Sequence, residues 1–356
     1  MPRNLLNLSN WFRPTTEDII IASKIRLSRN LQGFDYMVKI APKAAKELQM
    51  KLKNCFTNRK FEGISELVFY DWVEIGSACR NFLLEKQLVS EFFPAVEKPA
   101  ALILTPEENI SIMVGEIEHL VIQTYGTGLE LKKLWQQAST IDDAIEQEMP
   151  YAFHEQFGYL ASCPTNLGTG LRASVFMFLP ALTLAGKLEA IEGDLYMEDL
   201  MLRKLFVQPE QQGMSFYQIA NNGALGYTEE EILTKLQLAV EKIAESERLA
   251  RRKLWQEKSE IIADKAAKAF GVLQYAKLLA YEDALKMLVD LRLASDLKMN
   301  GYLSLALNAK LMLNISDAAL ELASTKGENK DALYFKRLRA DLIRTSLEQQ
   351  ATKEYC

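Results

Sequence analysis

The chain has 356 residues, 49% of them hydrophobic and 25% charged, with a formal net charge of -5. That balance describes a folded globular protein with room for more than one hydrophobic core, excludes a disordered chain, and argues against nucleic acid as the main partner. Its four cysteines (Cys55, Cys79, Cys163, Cys356) have no metal-ligand spacing and its two histidines (His119, His154) cannot build a histidine-rich metal site, so no metal centre is expected. Neither a signal-peptide core at the start nor an apolar run long enough to span a bilayer is read, which predicts a cytoplasmic protein away from the membrane.

Residues 1–17 read as a loosely docked arm, and Asp18 to Ala22 as a short extended segment. The basic patch Lys24, Arg26, Arg29 follows; in an extended chain Lys24 and Arg26, two apart, share a face. Pro42–Phe56 reads as a helix, Ile64–Tyr70 as a strand, and Phe82–Phe92 as a helix with Leu83, Leu84, Leu88 and Phe92 toward a core. Leu102–Leu104 and Ile110–Val114 read as strands joined by a tight Pro106–Asn109 connection, and Gly115–Gln123 as an acidic turn running into a further strand. Two short helices are predicted over Leu129–Gln137 and Thr140–Met149, the second capped by Thr140.

Cys163-Pro-Thr-Asn-Leu-Gly-Thr-Gly-Leu-Arg-Ala-Ser-Val175 packs polar and glycine residues between two apolar runs. Phe157–Ala161 reads as the end of a strand and Ala173–Leu184 as a helix. Strand, glycine-rich loop and a helix opening on Arg172 would make an anion cradle, with Gly168 and Gly170 letting backbone N–H groups converge beside the helix's positive end. A structural turn is the alternative. Downstream come a compact acidic stretch, Glu192–Met201, and a strand over Met214–Ala220. Thr228-Glu-Glu-Glu231 then caps a helix that is long or broken once. Helical periodicity continues to the end, with helices over Ala276–Val289, Leu303–Leu313 and Asp331–Gln349, Gly301 between the first two and a loop at Thr325–Asn329. Leu83, Leu88, Leu120, Ile122, Leu160, Val175, Leu182, Ile219 and Leu236 are the expected core.

CPTNLGTGLRASV resembles the signature loop of the ATP:guanido phosphotransferases, the creatine and arginine kinase family, and more closely that of the bacterial protein arginine kinases. Ser23-Lys-Ile-Arg-Leu-Ser-Arg-Asn30 and Phe216-Tyr-Gln-Ile-Ala-Asn221 match in the same order and spacing. The resemblance implies an α+β catalytic-type domain, an antiparallel sheet flanked by helices, over residues 18–245, and an all-helical domain over 246–356. It implies ATP and magnesium as cofactors, with Arg26, Arg172 and Arg203 on the phosphates and Lys24 and Arg29 assisting. Lys24 stands where the family usually has an arginine. Cys163, with Asn166, Gly168, Thr169 and Gly170, forms the loop; Cys163 corresponds to the reactive cysteine of phosphagen kinases.

The resemblance also exposes departures. Gly115-Glu-Ile-Glu-His119 stands where the family has Asn-Glu-Glu-Asp-His, so Ile117 replaces a catalytic glutamate, leaving Glu116 and Glu118 as candidate substitutes. Val121 replaces a phosphate-binding arginine. Lys204 and Val207 replace loop glycines and Gln208 a second catalytic glutamate, with Glu210 the alternative if the loop is shifted. In the helical domain Arg339 and Arg344 match arginines that bind phosphoarginine, while Phe335 and Lys336 replace an arginine and an aspartate. The expectation is a kinase-fold protein with weak or lost phosphotransfer that acts by binding a protein substrate or phosphoarginine-protein partner, as a homodimer. An active arginine kinase and a non-enzymatic adaptor are the competing expectations.

Overall fold

The computed structural model describes residues 5–7, 9, 19–57, 59–205, 215–299, 302–324, 331 and 333–354, the side chains of 351–354 excepted. Gln208, Val207 and Glu210, Gly301 and the Thr325–Asn329 loop therefore lie outside the described residues.

Among the described residues eight strands form one antiparallel sheet in the order β2-β3-β4-β5-β1-β8-β10-β9. They are β1 (Ile20–Arg29), β2 (Val68–Asp71), β3 (Ala101–Leu104), β4 (Ile110–Val114), β5 (Leu120–Thr127), β8 (Leu171–Phe178), β9 (Leu200–Lys204) and β10 (Phe216–Asn221). A separate two-stranded ribbon joins β6 (Phe153–His154) to β7 (Gly158–Tyr159). One sheet face packs on α1 (Pro42–Thr57), α3 (Leu131–Glu146) and the first part of α6 (Glu229–Tyr275), through Ile25, Leu27, Ile112, Ile122, Val175 and Leu236. The other face carries Val121, Phe176 and Phe216 into a second cluster. There α2 (Ser77–Glu85), the far part of α6, α7 (Tyr281–Asp296), α8 (Leu305–Asn314) and α10 (Tyr334–Glu354) meet, with α9 (Asp317–Ala323). Residues of β1 alternate between these faces, which is the period-2 geometry of a strand.

The α+β sheet followed by helices is the expected architecture, and α6 runs through both parts. It starts on the predicted capping box, where Thr228 Oγ1 accepts from the Glu231 amide and the Glu231 carboxylate accepts from the Thr228 amide. Its helical backbone is interrupted at Lys258, the single break the pattern allowed. Glu247, fully buried, accepts from the amides of Ala181 and Leu182 at the start of α4 (Pro180–Leu184) and pairs with Arg251 at 2.8 Å. Arg251 in turn reaches Asp296 of α7 at 3.4 Å, so buried charge ties sheet and helices together.

Three local readings are corrected, and one stretch read only as acidic and compact gains its structure. Ala173–Leu184 is not a helix: Leu171–Phe178 is a central strand and only Pro180–Leu184 is helical. Nearly every residue of β8 is buried on both faces, and such an apolar run has no period to tell strand from helix. The two helices predicted over 129–149 are one, α3, and Thr140 is inside it, its hydroxyl donating to the Gln136 carbonyl rather than capping. The helix read over 82–92 ends at Glu85, because Gln87 takes a left-handed φ of 58° and turns the chain back. Glu192–Met201 belongs to helix α5 (Leu188–Met197) and strand β9. Of the expected core only Leu160 is not buried; it lies half-exposed beside the β6–β7 ribbon.

The arm is docked at least in part. The Lys86 ammonium, fully buried, donates to the carbonyls of Leu5 and Asn7 and pairs with Glu108, while Asn314 of α8 donates to the Leu6 carbonyl.

Candidate functional site

Strand register assembles the cationic residues. Arg26 in β1 lies opposite Arg172 in β8 and Gln123 in β5; Lys24 lies opposite Ser174 and Tyr125. Ala220 of β10 lies opposite Ser174, and Arg203 of β9 opposite Gln218. Counting the alternation across these pairs puts Lys24, Arg26, Arg172 and Arg203 on one sheet face. They are close enough to repel: burial, then Arg26 and Arg203, lower the Arg172 pKa. Burial, then Arg26 and Arg172, bring Lys24 down to about 7, against the opposing pull of Glu116. An unfolded lysine titrates near about 10.4. Between those values the unfolded chain binds one proton more than the folded one, so Lys24's contribution to stability rises with pH through that window.

Arg29 is not part of this strip. As the odd residue it faces the opposite way, where its Nε and Nη2 donate to Asp142 of α3 at 2.9 and 2.6 Å. Its Nη1 donates to the carbonyls of Ser28 and Thr169, and its plane lies 3.7 Å from the Tyr159 ring centre. That is a buried fastener between sheet, helix and signature loop.

The loop does gather N–H groups around an anion, and the anion is the protein's own. Glu118, 0% exposed, accepts from the amides of Ser162 (2.9 Å) and Cys163 (3.2 Å) and from the side-chain amides of Asn166 (3.0 Å) and Asn30 (2.6 Å). Burial opposes its charge, but these four bonds outweigh it and hold its pKa below the usual value. The helix end invoked for the cradle has no counterpart, since Arg172 stands on a strand. The glycines serve close approach: Gly168 has φ +103°, and a Cβ there would sit 2.6 Å from the Ala224 carbonyl oxygen. At Gly170 it would sit 2.4 Å from Arg29 Nη1. Thr169 closes the turn by accepting from the Leu171 amide, and Cys163 Sγ lies 3.1 Å from Thr165 Oγ1.

Glu116 is the buried carboxylate on the strip. It is 5% exposed; one oxygen accepts from the Ser90 hydroxyl, the other from the Ile117 amide (3.0 Å) and Arg26 Nη2 (3.4 Å). Ile117 itself is half-buried and apolar. Val121 is fully buried, opposite Met113 and in one apolar cluster with Leu88. His119 is a core residue: Nδ1 accepts from the Leu31 amide, so Nε2 carries the proton toward the Asp35 carbonyl.

Sequence reading missed Gln87, Ser90 and Glu91, which follow α2 and touch the strip. The Gln87 carbonyl lies 3.4 Å from Lys24 Nζ and accepts from the Tyr125 hydroxyl, and Glu91 pairs with Arg203 at 3.1 Å. Reading 82–92 as one helix concealed them. The pair expected to bind phosphoarginine is otherwise engaged. Arg339, 1% exposed, donates to the carbonyls of Ile315 (2.6 Å) and Leu279 (2.8 Å) and to Asp317. Arg344 donates to the Ala276 carbonyl and Asp341. Among the described residues no cluster of His, Cys, Asp and Glu forms a metal cage, and no helix is long and apolar enough to cross a membrane.

Comparison with known proteins gives the family and the fold. Residues 47–250 match the family model of the ATP:guanido phosphotransferase C-terminal catalytic domain. Solved structures of that class share the fold. A lombricine kinase superposes with a TM-score of 0.56 at 20% identity over 68% of this chain and 70% of its own. The duplicated taurocyamine kinase of Schistosoma mansoni gives 0.56 at 20% identity, over 64% of this chain and 33% of its own.

Residues 259–355 match the C-terminal domain model of protein-arginine kinase McsB. A protein-arginine kinase of Desulforamulus reducens is 35% identical over 95% of both chains, and one of Halothermothrix orenii 34% identical over 96% of this chain and 97% of its own. The chain belongs to the bacterial protein-arginine kinase family of the ATP:guanido phosphotransferase fold.

Proposed function

We propose that this chain binds a nucleotide's phosphates on the Lys24–Arg26–Arg172–Arg203 strip, has little or no phosphotransfer to arginine, and works through binding a protein that carries arginine or phosphoarginine. The observation that carries the reading is the fate of the carboxylates. A guanidinium, with a pKa above ~12, attacks phosphorus only when a carboxylate orients it and takes its proton. Ile117 offers none. Glu118 is spent on four hydrogen bonds and Glu116 on three. The replacement of a glutamate by Gln208 adds to this from the sequence alone. Four cations remain despite Val121, and three of them are arginines suited to phosphate oxygens. Magnesium would come with the phosphates and their water, as it commonly does where the protein supplies few ligands.

Calorimetry with ADP and magnesium tests the binding half. Arg172→Ala is expected to weaken ADP at least tenfold with the thermal melt unchanged, since Arg172 is central in the strip and among the described residues its side chain donates to the Met201 thioether rather than to a carboxylate. An unchanged affinity would make the strip structural. Lys24 adds a second readout. A bound phosphate restores the charge that burial and its neighbours suppress, so binding at about pH 8 is expected to take up a proton. The uptake appears as a dependence of the binding heat on buffer ionisation enthalpy, and it should vanish in Lys24→Arg. Uptake persisting in that variant would assign the proton elsewhere.

A further inference from the structure

The segment from Glu85 to Glu91 leads from the helical domain onto the cationic strip, and most of it is anchored. Glu85 accepts from Ser316, which caps α9. Lys86 is buried among the arm carbonyls and Glu108, and the Gln87 carbonyl faces Lys24 and Tyr125. Leu88 and Val89 are buried, the Ser90 amide donates to Met113 Sδ and its hydroxyl to Glu116, and Phe93 is fully buried. Glu91 is thus an exposed side chain on a fixed stretch of backbone. It ends 3.1 Å from Arg203, the two side chains being 53% and 58% exposed, and its charge is also felt at Arg172.

We infer that Glu91 is an internal counter-ion of the strip that competes with anionic ligands for Arg203 and lowers the strip's affinity for them. The inference rests on the phosphate reading above. The two carboxylates on the strip differ in kind. Glu116 is buried and held by Ser90 and the Ile117 amide, so it stays beside Arg26 when a ligand arrives. Glu91 is in water and can swing away, so a ligand must displace it to use both oxygens' worth of the Arg203 fork. An exposed ion pair is a mild competitor. Its usual worth corresponds to roughly a twofold to fivefold change in binding constant. The effect should weaken as salt screens it.

Inorganic pyrophosphate is the probe, because it has no base or sugar and reads the strip alone. Wild type, Glu91→Gln, Arg172→Ala and Glu282→Gln are titrated at low ionic strength. Glu282 is an exposed carboxylate on α7, so its variant carries the same change in net charge. Glu91→Gln is expected to bind pyrophosphate roughly twofold to fivefold tighter than wild type, with the gain reduced in high salt, and Glu282→Gln is expected to match wild type. Binding by Glu91→Gln where wild type shows none also supports the inference. Equal or weaker binding by Glu91→Gln, alongside lost binding in Arg172→Ala, overturns it and leaves the phosphate reading standing. Equal tightening in Glu282→Gln overturns it as well, since net charge alone would then explain the gain. No binding by wild type or by Glu91→Gln overturns both.

Discussion

Glu118→Ala is expected to lower the stability of the protein by at least ~3 kcal/mol, because it strips a shared acceptor from buried donors that cost about 1–3 kcal/mol each when left unpaired. For a chain of 356 residues that is a fall in melting temperature of roughly 4 °C or more. The donors are the amides of Ser162 and Cys163 and the side chains of Asn30 and Asn166, so the damage falls on the signature loop. Glu118→Gln keeps the shape but turns one oxygen into an NH2 group facing other donors, and should lose less. The pH dependence has a definite sign. Hydrogen bonding overcomes burial and depresses the folded pKa of Glu118. Its contribution is therefore present above the unfolded glutamate value near about 4.3 and is lost as the pH falls through the depressed folded value. Glu118→Gln should flatten the acid limb of the stability curve. A variant that melts like wild type would remove Glu118 from the framework and return it to the candidate bases.

How much of this was legible in the chain depends on the range of the interaction. The alternation of Lys24 and Arg26 is a property of any strand, and the capping box at Thr228 is four residues long; both stand as read. The partners of Arg29 are not local. Asp142 is 113 positions away, so a basic residue in a basic patch looked like a phosphate ligand and is a fastener. The same holds for Arg339, which serves loop carbonyls at Ile315 and Leu279. The signature loop was read as N–H groups converging at Gly168 and Gly170 beside a helix end; the amides that do converge are those of Ser162 and Cys163, on Glu118, which arrives from the turn before β5. Burial on both faces hid the strand at Leu171–Phe178, and the left-handed Gln87 hid the segment that brings Ser90 and Glu91 to the strip.

The largest expected effect concerns phosphotransfer. Active kinases turn over at ~1–100 per second, and a positioned general base contributes ~10²–10⁴-fold. On the proposed reading, in which Ile117 and Gln208 stand in place of carboxylates and Glu116 and Glu118 are engaged, turnover is expected to fall at least a thousandfold short of that range. Losses within one site do not add, so no larger figure is built from them. The buried position of Val121 bears on how a lost activity would be restored. Val121→Arg would drive a guanidinium into the cluster of Leu88 and Met113, so Ile117→Glu with Gln208→Glu is the variant expected to recover slow transfer, and adding Val121→Arg is expected to destabilise it.

The most direct measurement uses one preparation of the wild-type protein with ATP, magnesium and an arginine-containing protein. ADP affinity is taken by calorimetry, and acid-labile phosphoarginine is followed by mass spectrometry. The expected result is nucleotide binding without phosphoarginine above the no-enzyme control. Phosphoarginine formed at ~1–100 per second would contradict it, and loss of that turnover in Glu116→Gln would name the base.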